Sequence, residues 1–162
     1  MSIHLGGRGP GHIARVQGGR VNLFTNGDFA SSSVADWTRG FNSVDGTLAV
    51  VGGVLVHTRG AGDSGAARWC KAISGLTNGA TYTLSFQEAG ATGSGDRCIV
   101  WTSNSAGTGG DTLNQVGVAA WTNEVKTNSV TATATTMYVS LGFVGASAGD
   151  TIGVDNITLY PA

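Results

Sequence analysis

Apolar and polar residues alternate with a period of two through much of the chain beyond residue 20. Residues 80–88 set Tyr82, Leu84 and Phe86 against Thr81, Thr83, Ser85 and Gln87. Residues 137–143 set Met137, Val139, Leu141 and Phe143 against Tyr138, Ser140 and Gly142. Side chains of a strand point to opposite faces in turn, so this pattern predicts strands buried on one side. Further strand signals fall at 21–24, at 36–39 around Trp37, at 47–51, 54–58, 66–73 and 97–102, and more weakly at 112–118 and 124–130. The last, 151–160, carries Ile152, Val154, Ile157 and Leu159. Gly52-Gly53 joins two of these runs as a two-residue hairpin turn. No segment shows a convincing helical period. Some nine to eleven strands with one polar face each predict an all-β fold of two antiparallel sheets packed face to face. The strand number and the long connections favour a jelly-roll β-sandwich over a seven-strand immunoglobulin fold. Tyr82, Leu84, Phe86, Val139, Leu141 and Val154 are its expected core.

Composition agrees with this picture. The chain has 162 residues, one domain's worth, with 27 glycines, 2 prolines, 19 threonines and 14 serines. Charged residues make up 12% and only two are lysines, Lys71 and Lys126. Glycine costs a helix about 1 kcal/mol per position, so this mixture argues against an all-α fold. Few charges and many hydroxyls suit a surface that packs against other protein. No run is long and apolar enough for a membrane helix, and no secretory signal is visible at the start, so no membrane association is expected. Cys70 and Cys98 lie in no C-x-x-C pair, which removes zinc and thioredoxin-type readings. They are either two buried thiols or one disulfide, and the lack of a signal favours the thiols.

Charge is distributed unevenly. Residues 1–20 carry Arg8, Arg15 and Arg20 and no acid, while residues 21–162 carry a net −4. Six glycines and Pro10 interrupt every candidate element in residues 1–20. Ile3, Leu5, Ile13 and Val16 stand as isolated apolar studs among the arginines. The division expected is an extended basic arm over 1–20 and a sandwich over 21–162. The arm suits docking on an acidic partner, with studs for shallow pockets and arginines for carboxylates; a frayed terminus is the bland alternative.

Three short segments carry a family resemblance. Asn22-Leu23-Phe24-Thr25-Asn26-Gly27-Asp28-Phe29, followed by Trp37, resembles the opening of galactose-binding-like jelly rolls, among them the carbohydrate-binding modules of the family 4/9/22 group. Gly79–Phe86 resembles their middle strand, and Asp155-Asn156-Ile157-Thr158-Leu159 their closing strand. The three occur in the family's order over residues 22–160. The resemblance implies the jelly roll and, less specifically, sugar recognition. In relatives the opening Glu and the closing acid often hold one structural calcium. Asp155 matches the closing acid, Ala30 stands where the Glu would be, and Asp28 is the nearby substitute. The loss of that Glu weakens the calcium site, and no other cofactor is expected. The resemblance also implies an aromatic platform for a sugar ring. Trp69, which shares a face with Lys71, and Trp121, between two weak strands, are the candidates, with core packing the alternative for each. Trp101 shares a face with Ile99 and reads as core.

Catalytic signals are lacking. His4 and His12 lie in the arm, and His57 sits on a strand with no acid beside it in sequence. Glu88 and Glu124 form a glycosidase pair only by accident of fold. Asp63-Ser64-Gly65 has no nucleophile-elbow context. Three arginines with no interleaved aromatics are too little for nucleic acid. The chain therefore reads as no enzyme. The leading expectation is a structural protein of a phage virion, of the head decoration (cement) type. It would be made in the host cytoplasm and placed on the outer surface of the head, with the tail as the lesser alternative. It would dock its arm on the major capsid protein or other virion proteins, with scope for homo-oligomers on the particle. The alternative is a carbohydrate-binding module or tail/adhesin domain that recognises a surface glycan.

Overall fold

A computed structural model of the chain describes residues 16–17, 19–40, 42–65, 67–93, 96–102, 112–116, 124–144 and 146–162. The strands are β1 (Val16–Gln17), β2 (Arg20–Val21), β3 (Trp37–Arg39), β4 (Thr47–Val51), β5 (Val54–Thr58), β6 (Arg68–Ser74), β7 (Thr81–Ala91), β8 (Asp96–Thr102), β9 (Thr112–Val116), β10 (Val125–Thr131), β11 (Thr136–Val144) and β12 (Thr151–Pro161). One five-stranded sheet has the order β10-β7-β12-β5-β4 and the other β3-β6-β11-β8-β9, while β1 and β2 form a small hairpin. Every pairing is antiparallel. No helix occurs among the described residues, and none therefore is long and apolar enough to cross a membrane. Most connections pass from one sheet to the other, which makes the pair a jelly-roll sandwich.

The inner faces meet in one core. Tyr82, Leu84 and Phe86 of β7 and Ile152, Val154, Ile157 and Leu159 of β12 come from one sheet, Ile73 of β6 and Met137, Val139 and Leu141 of β11 from the other. The predicted core positions are all buried. Gly52 and Gly53 have φ of 60° and 85°, the paired positive angles of the tight hairpin turn that fits the strand twist.

The opening and closing segments of the domain touch. Asn22 Oδ1 accepts from Phe24 N at 3.0 Å and from Leu159 N at 2.8 Å. Leu23 N donates to Leu159 O, and Ile157 N to Gly27 O at 2.8 Å. A Cβ on Gly27 would stand 1.9 Å from the Ile157 carbonyl oxygen, so only glycine allows this approach. The strand expected over 21–24 therefore ends at Val21. Beyond it the Asn22 side chain replaces a backbone acceptor, and the chain turns inward to bury Phe24 and Phe29.

One buried group makes folding pH-dependent. His57 of β5 faces the core and is fully buried, and burial pushes its pKa from 6.5 down to about 4, against the opposing pull of the Asp63 carboxylate and the Leu141 backbone. Between those two values the unfolded chain binds the proton and the folded one does not, so stability rises with pH. Acidification through that window is expected to cost at most about 3 kcal/mol. Urea midpoints followed from pH 7 to pH 4 check this: the His57→Leu variant should lose most of the slope, and an equal slope in both proteins would contradict it.

Candidate functional site

The two outer faces of the sandwich differ in how their polar groups are satisfied. On the β10-β7-β12-β5-β4 sheet the outward hydroxyls pair in rows. Thr81 meets Thr131, Ser85 meets Thr127 and Thr92 meets Thr151, at 3.4, 3.1 and 2.9 Å. Short hydroxyl side chains directly opposite one another on adjacent strands do this naturally. Such a face leaves few unmet donors for a ligand.

The β3-β6-β11-β8-β9 sheet is different. Register places Arg68, Cys70 and Ala72 of β6 opposite Gly142, Ser140 and Tyr138 of β11, all on the outward face. Tyr138 is half-buried, yet Cys70, Ser140 and Gly142 are buried and Arg68 keeps only 8% of its surface. The middle of this outer face thus lies beneath the molecular surface. Ser140 Oγ donates to Cys70 Sγ at 3.1 Å. Burial raises the Cys70 thiol pKa, with the Ser140 bond and the Arg68 charge pulling more weakly the other way. The thiol is therefore a packed group and not a nucleophile. β11 separates β6 from β8, and Cys70 pairs with Ser140 while Cys98 pairs with Gly142, so the two Cα atoms are roughly 11–12 Å apart, beyond a disulfide's span of about 7 Å. The two-thiol expectation fits this arrangement.

Arg68 lies across Gly142. A Cβ at Gly142 would come within 2.8 Å of Arg68 Cγ and 2.6 Å of Ala67 O. Glycine at 142 is what lets the arginine stem lie flat on the sheet. Arg68 Nε and Nη1 are buried and have no hydrogen-bond partner, and no acid among the described residues pairs with the guanidinium.

The residues singled out from sequence fall elsewhere. Trp69 lies on the opposite face of β6 from Arg68, packs half-buried against the core, and carries the Arg39 guanidinium 5.3 Å from its ring centroid. Its neighbour on that face, Lys71, was the reason to expect exposure, and this does not hold: Lys71 is buried. Its ammonium bonds Thr25 O at 2.9 Å and Asp36 Oδ2 at 3.2 Å and lies 5.0 Å from the Phe24 ring centroid. A buried lysine with a carboxylate, a carbonyl and a ring is satisfied, and it staples residues 24–36 to β6. Positions 99 and 101 pair with Leu141 and Val139 in the register of β8 and β11. Trp121 and Ile3, Leu5, Arg8, Ile13 and Arg15 of the arm lie outside the described residues, as do His4 and His12. Val16 is in β1, and Arg20 is exposed in β2.

The calcium expectation fits poorly. Asp155 turns Oδ1 to Asn156 N and Oδ2 to Asn156 Nδ2, and the Gly27 carbonyl already accepts from Ile157 N. Asp28 and Ala30 are exposed, and no three His, Cys, Asp or Glu side chains among the described residues gather to hold a metal ion. Calcium takes about six to eight oxygens, and these residues do not supply such a set.

Glu88 is buried and Glu124 exposed, and both reach Lys126, at 3.9 and 3.2 Å. Asp63 has a structural role that its sequence context conceals. Its Oδ1 accepts from the backbone N–H of Val44, Asp45 and Gly46, and its Oδ2 from Gly60. Burial alone would raise its pKa, but these four donors outweigh it and the net shift is downward. Arg59 closes the loop by donating to Asp63 O and Gly65 O.

The chain matches no protein-family model and no curated protein. Solved structures do resemble it. A family 4 carbohydrate-binding module superposes with a TM-score of 0.65 at 18% identity, over 85% of this chain and 98% of that one. The N-terminal cellulose-binding domain of β-1,4-glucanase C from Cellulomonas fimi gives 0.59 at 20% identity, over 81% and 91%. The enzymatically active domain of tailspike protein 4 from bacteriophage CBA120 gives 0.59 at 15% identity, over 87% of this chain but 21% of that one. The likeness is one of fold: this is the β-sandwich that carbohydrate-binding modules use.

Proposed function

We propose that the domain is a non-catalytic saccharide-binding module, with its ligand on the outer face of the β3-β6-β11-β8-β9 sheet. The observation that carries this reading is the contrast between the two outer faces: one pairs hydroxyls across its strands, the other holds a buried arginine, Arg68, with two unpartnered donors. The likeness to carbohydrate-binding modules supports it. Tyr138 supplies a ring on that face, and an aromatic ring suits the apolar side of a sugar. Tyr138 and Gly142 are four positions apart on β11, a distance of roughly 13 Å, which fits an oligosaccharide better than a single sugar. The common partnership of Glu88 and Glu124 with Lys126 is an ion-pair network, in keeping with binding rather than hydrolysis.

A glycan array that includes neutral and acidic oligosaccharides tests this. Binding is expected, and Tyr138→Ala should weaken it about tenfold, the loss of roughly 1–1.5 kcal/mol of ring contact, without unfolding the domain. An array without hits would overturn the reading.

A second reading places the same module on a phage particle. Its support is the tailspike domain among the similar folds together with the basic, stud-bearing composition of residues 1–20. A tail position, where glycans are met, is favoured over head decoration. Mass spectrometry of purified particles would find the chain there, and its absence from them would remove this reading.

A further inference from the structure

We propose that Arg68 reads the carboxylate of an acidic sugar, so that the ligand is a uronic-acid-containing oligosaccharide. This rests on the saccharide reading above. A guanidinium cannot shed its proton to escape burial, as a lysine or histidine can. Left unpaired and desolvated, it is a standing cost to the fold. Lys71, three positions along the same strand and on its other face, shows the usual solution, with a carboxylate and a carbonyl as partners. Arg68 has neither: Nε and Nη1 are buried without a partner, and among the described residues no ion pair reaches it.

Of the three guanidinium nitrogens only Nη2 is outside the buried, unpartnered pair, so an anion would enter from its side. Gly142 clears the sheet so that the stem lies flat, and the neighbouring outward groups, Cys70 and Ser140, satisfy each other. A carboxylate can bridge Nε with Nη2 or Nη1 with Nη2, and each of these edges contains one of the unpartnered buried nitrogens. A neutral sugar hydroxyl offers a single weaker acceptor and leaves the charge uncompensated. A saccharide carboxylate fits the flanking hydroxyl and tyrosine surface and neutralises the cation at once.

Titration calorimetry with oligogalacturonides and oligoglucuronides, each beside its carboxyl-reduced counterpart, tests the proposal on the unmodified protein. An acidic member should bind at least about tenfold more tightly than its reduced form. Arg68→Met should abolish that preference, and Arg68→Lys should restore part of it. In the absence of saccharide Arg68→Met should raise Tm by about 2–4 °C, because an unpaired buried charge is gone. Equal binding of acidic and reduced members would overturn the proposal and leave the saccharide reading standing. Binding of neither form, nor of any other glycan, would end both. A lowered Tm with the acid preference intact would make Arg68 a structural residue. Should Arg68→Met fail to fold, the comparison of acidic and reduced ligands on the unmodified protein decides alone.

Discussion

Phe86→Ala is expected to destabilise the sandwich by about 3–5 kcal/mol. The ring is almost fully buried, at 1% exposure, between Leu84 and Glu88 on the inward face of β7. β7 sits between β10 and β12, so the cavity would open beneath two neighbouring strands. Removal of a phenyl ring from such a site loses the transfer free energy and leaves a void that antiparallel strands held on both sides fill poorly. Urea unfolding at pH 7 measures the loss. A cost below about 1 kcal/mol would mean that the core packs differently from the arrangement described.

Asp63→Ala is expected to cost about 3–4 kcal/mol, although Asp63 lies in a glycine-rich loop. The carboxylate ties residues 44–46 to Gly60 through four backbone donors, and alanine would leave all four without this acceptor, the Gly46 N–H among them buried. Asp63→Asn keeps the shape and one oxygen, and should lose part of this. Because the folded state holds the Asp63 pKa down, its contribution is present above the ordinary carboxylate range and is lost as pH falls below it. Acid unfolding should therefore show His57 acting first, between pH 6.5 and about 4, and Asp63 below that. A variant as stable as the parent would show that the loop holds itself without the carboxylate.

The strands were legible in the sequence because the sheets bury one side only. That requirement imposes the period of two, which is plain in 81–88 and 137–143, and the Gly52-Gly53 turn fixes the register between β4 and β5. The opening and closing motifs were recognisable because they form one joint: Asn22, Gly27 and Ile157 must meet, and only certain residues allow it. The site was less legible. A lysine on a strand reads as exposed, since nothing local reveals that Asp36, Thr25 and Phe24 will surround it. Asp63 reads as a solvated loop acid because its four donors come from residues up to 19 positions away. Arg68 is not singled out in the sequence, since the β11 glycine it lies across comes from far along the chain. Trp69 drew attention as an aromatic, whereas the outward positions beside it, which hold the unmet donors, are not aromatic at all.

The central claim is that the ligand lies on one particular outer face, and amide chemical-shift mapping tests it most directly. The isotope-labelled protein would be titrated with whichever oligosaccharide the array returns. The account predicts that the largest shifts fall on residues 68–72 of β6 and 138–142 of β11, with little change along residues 81–87 of β7 and at Tyr160. Shifts concentrated on the paired hydroxyl rows of β7, β10 and β12, with β6 and β11 silent, would contradict it.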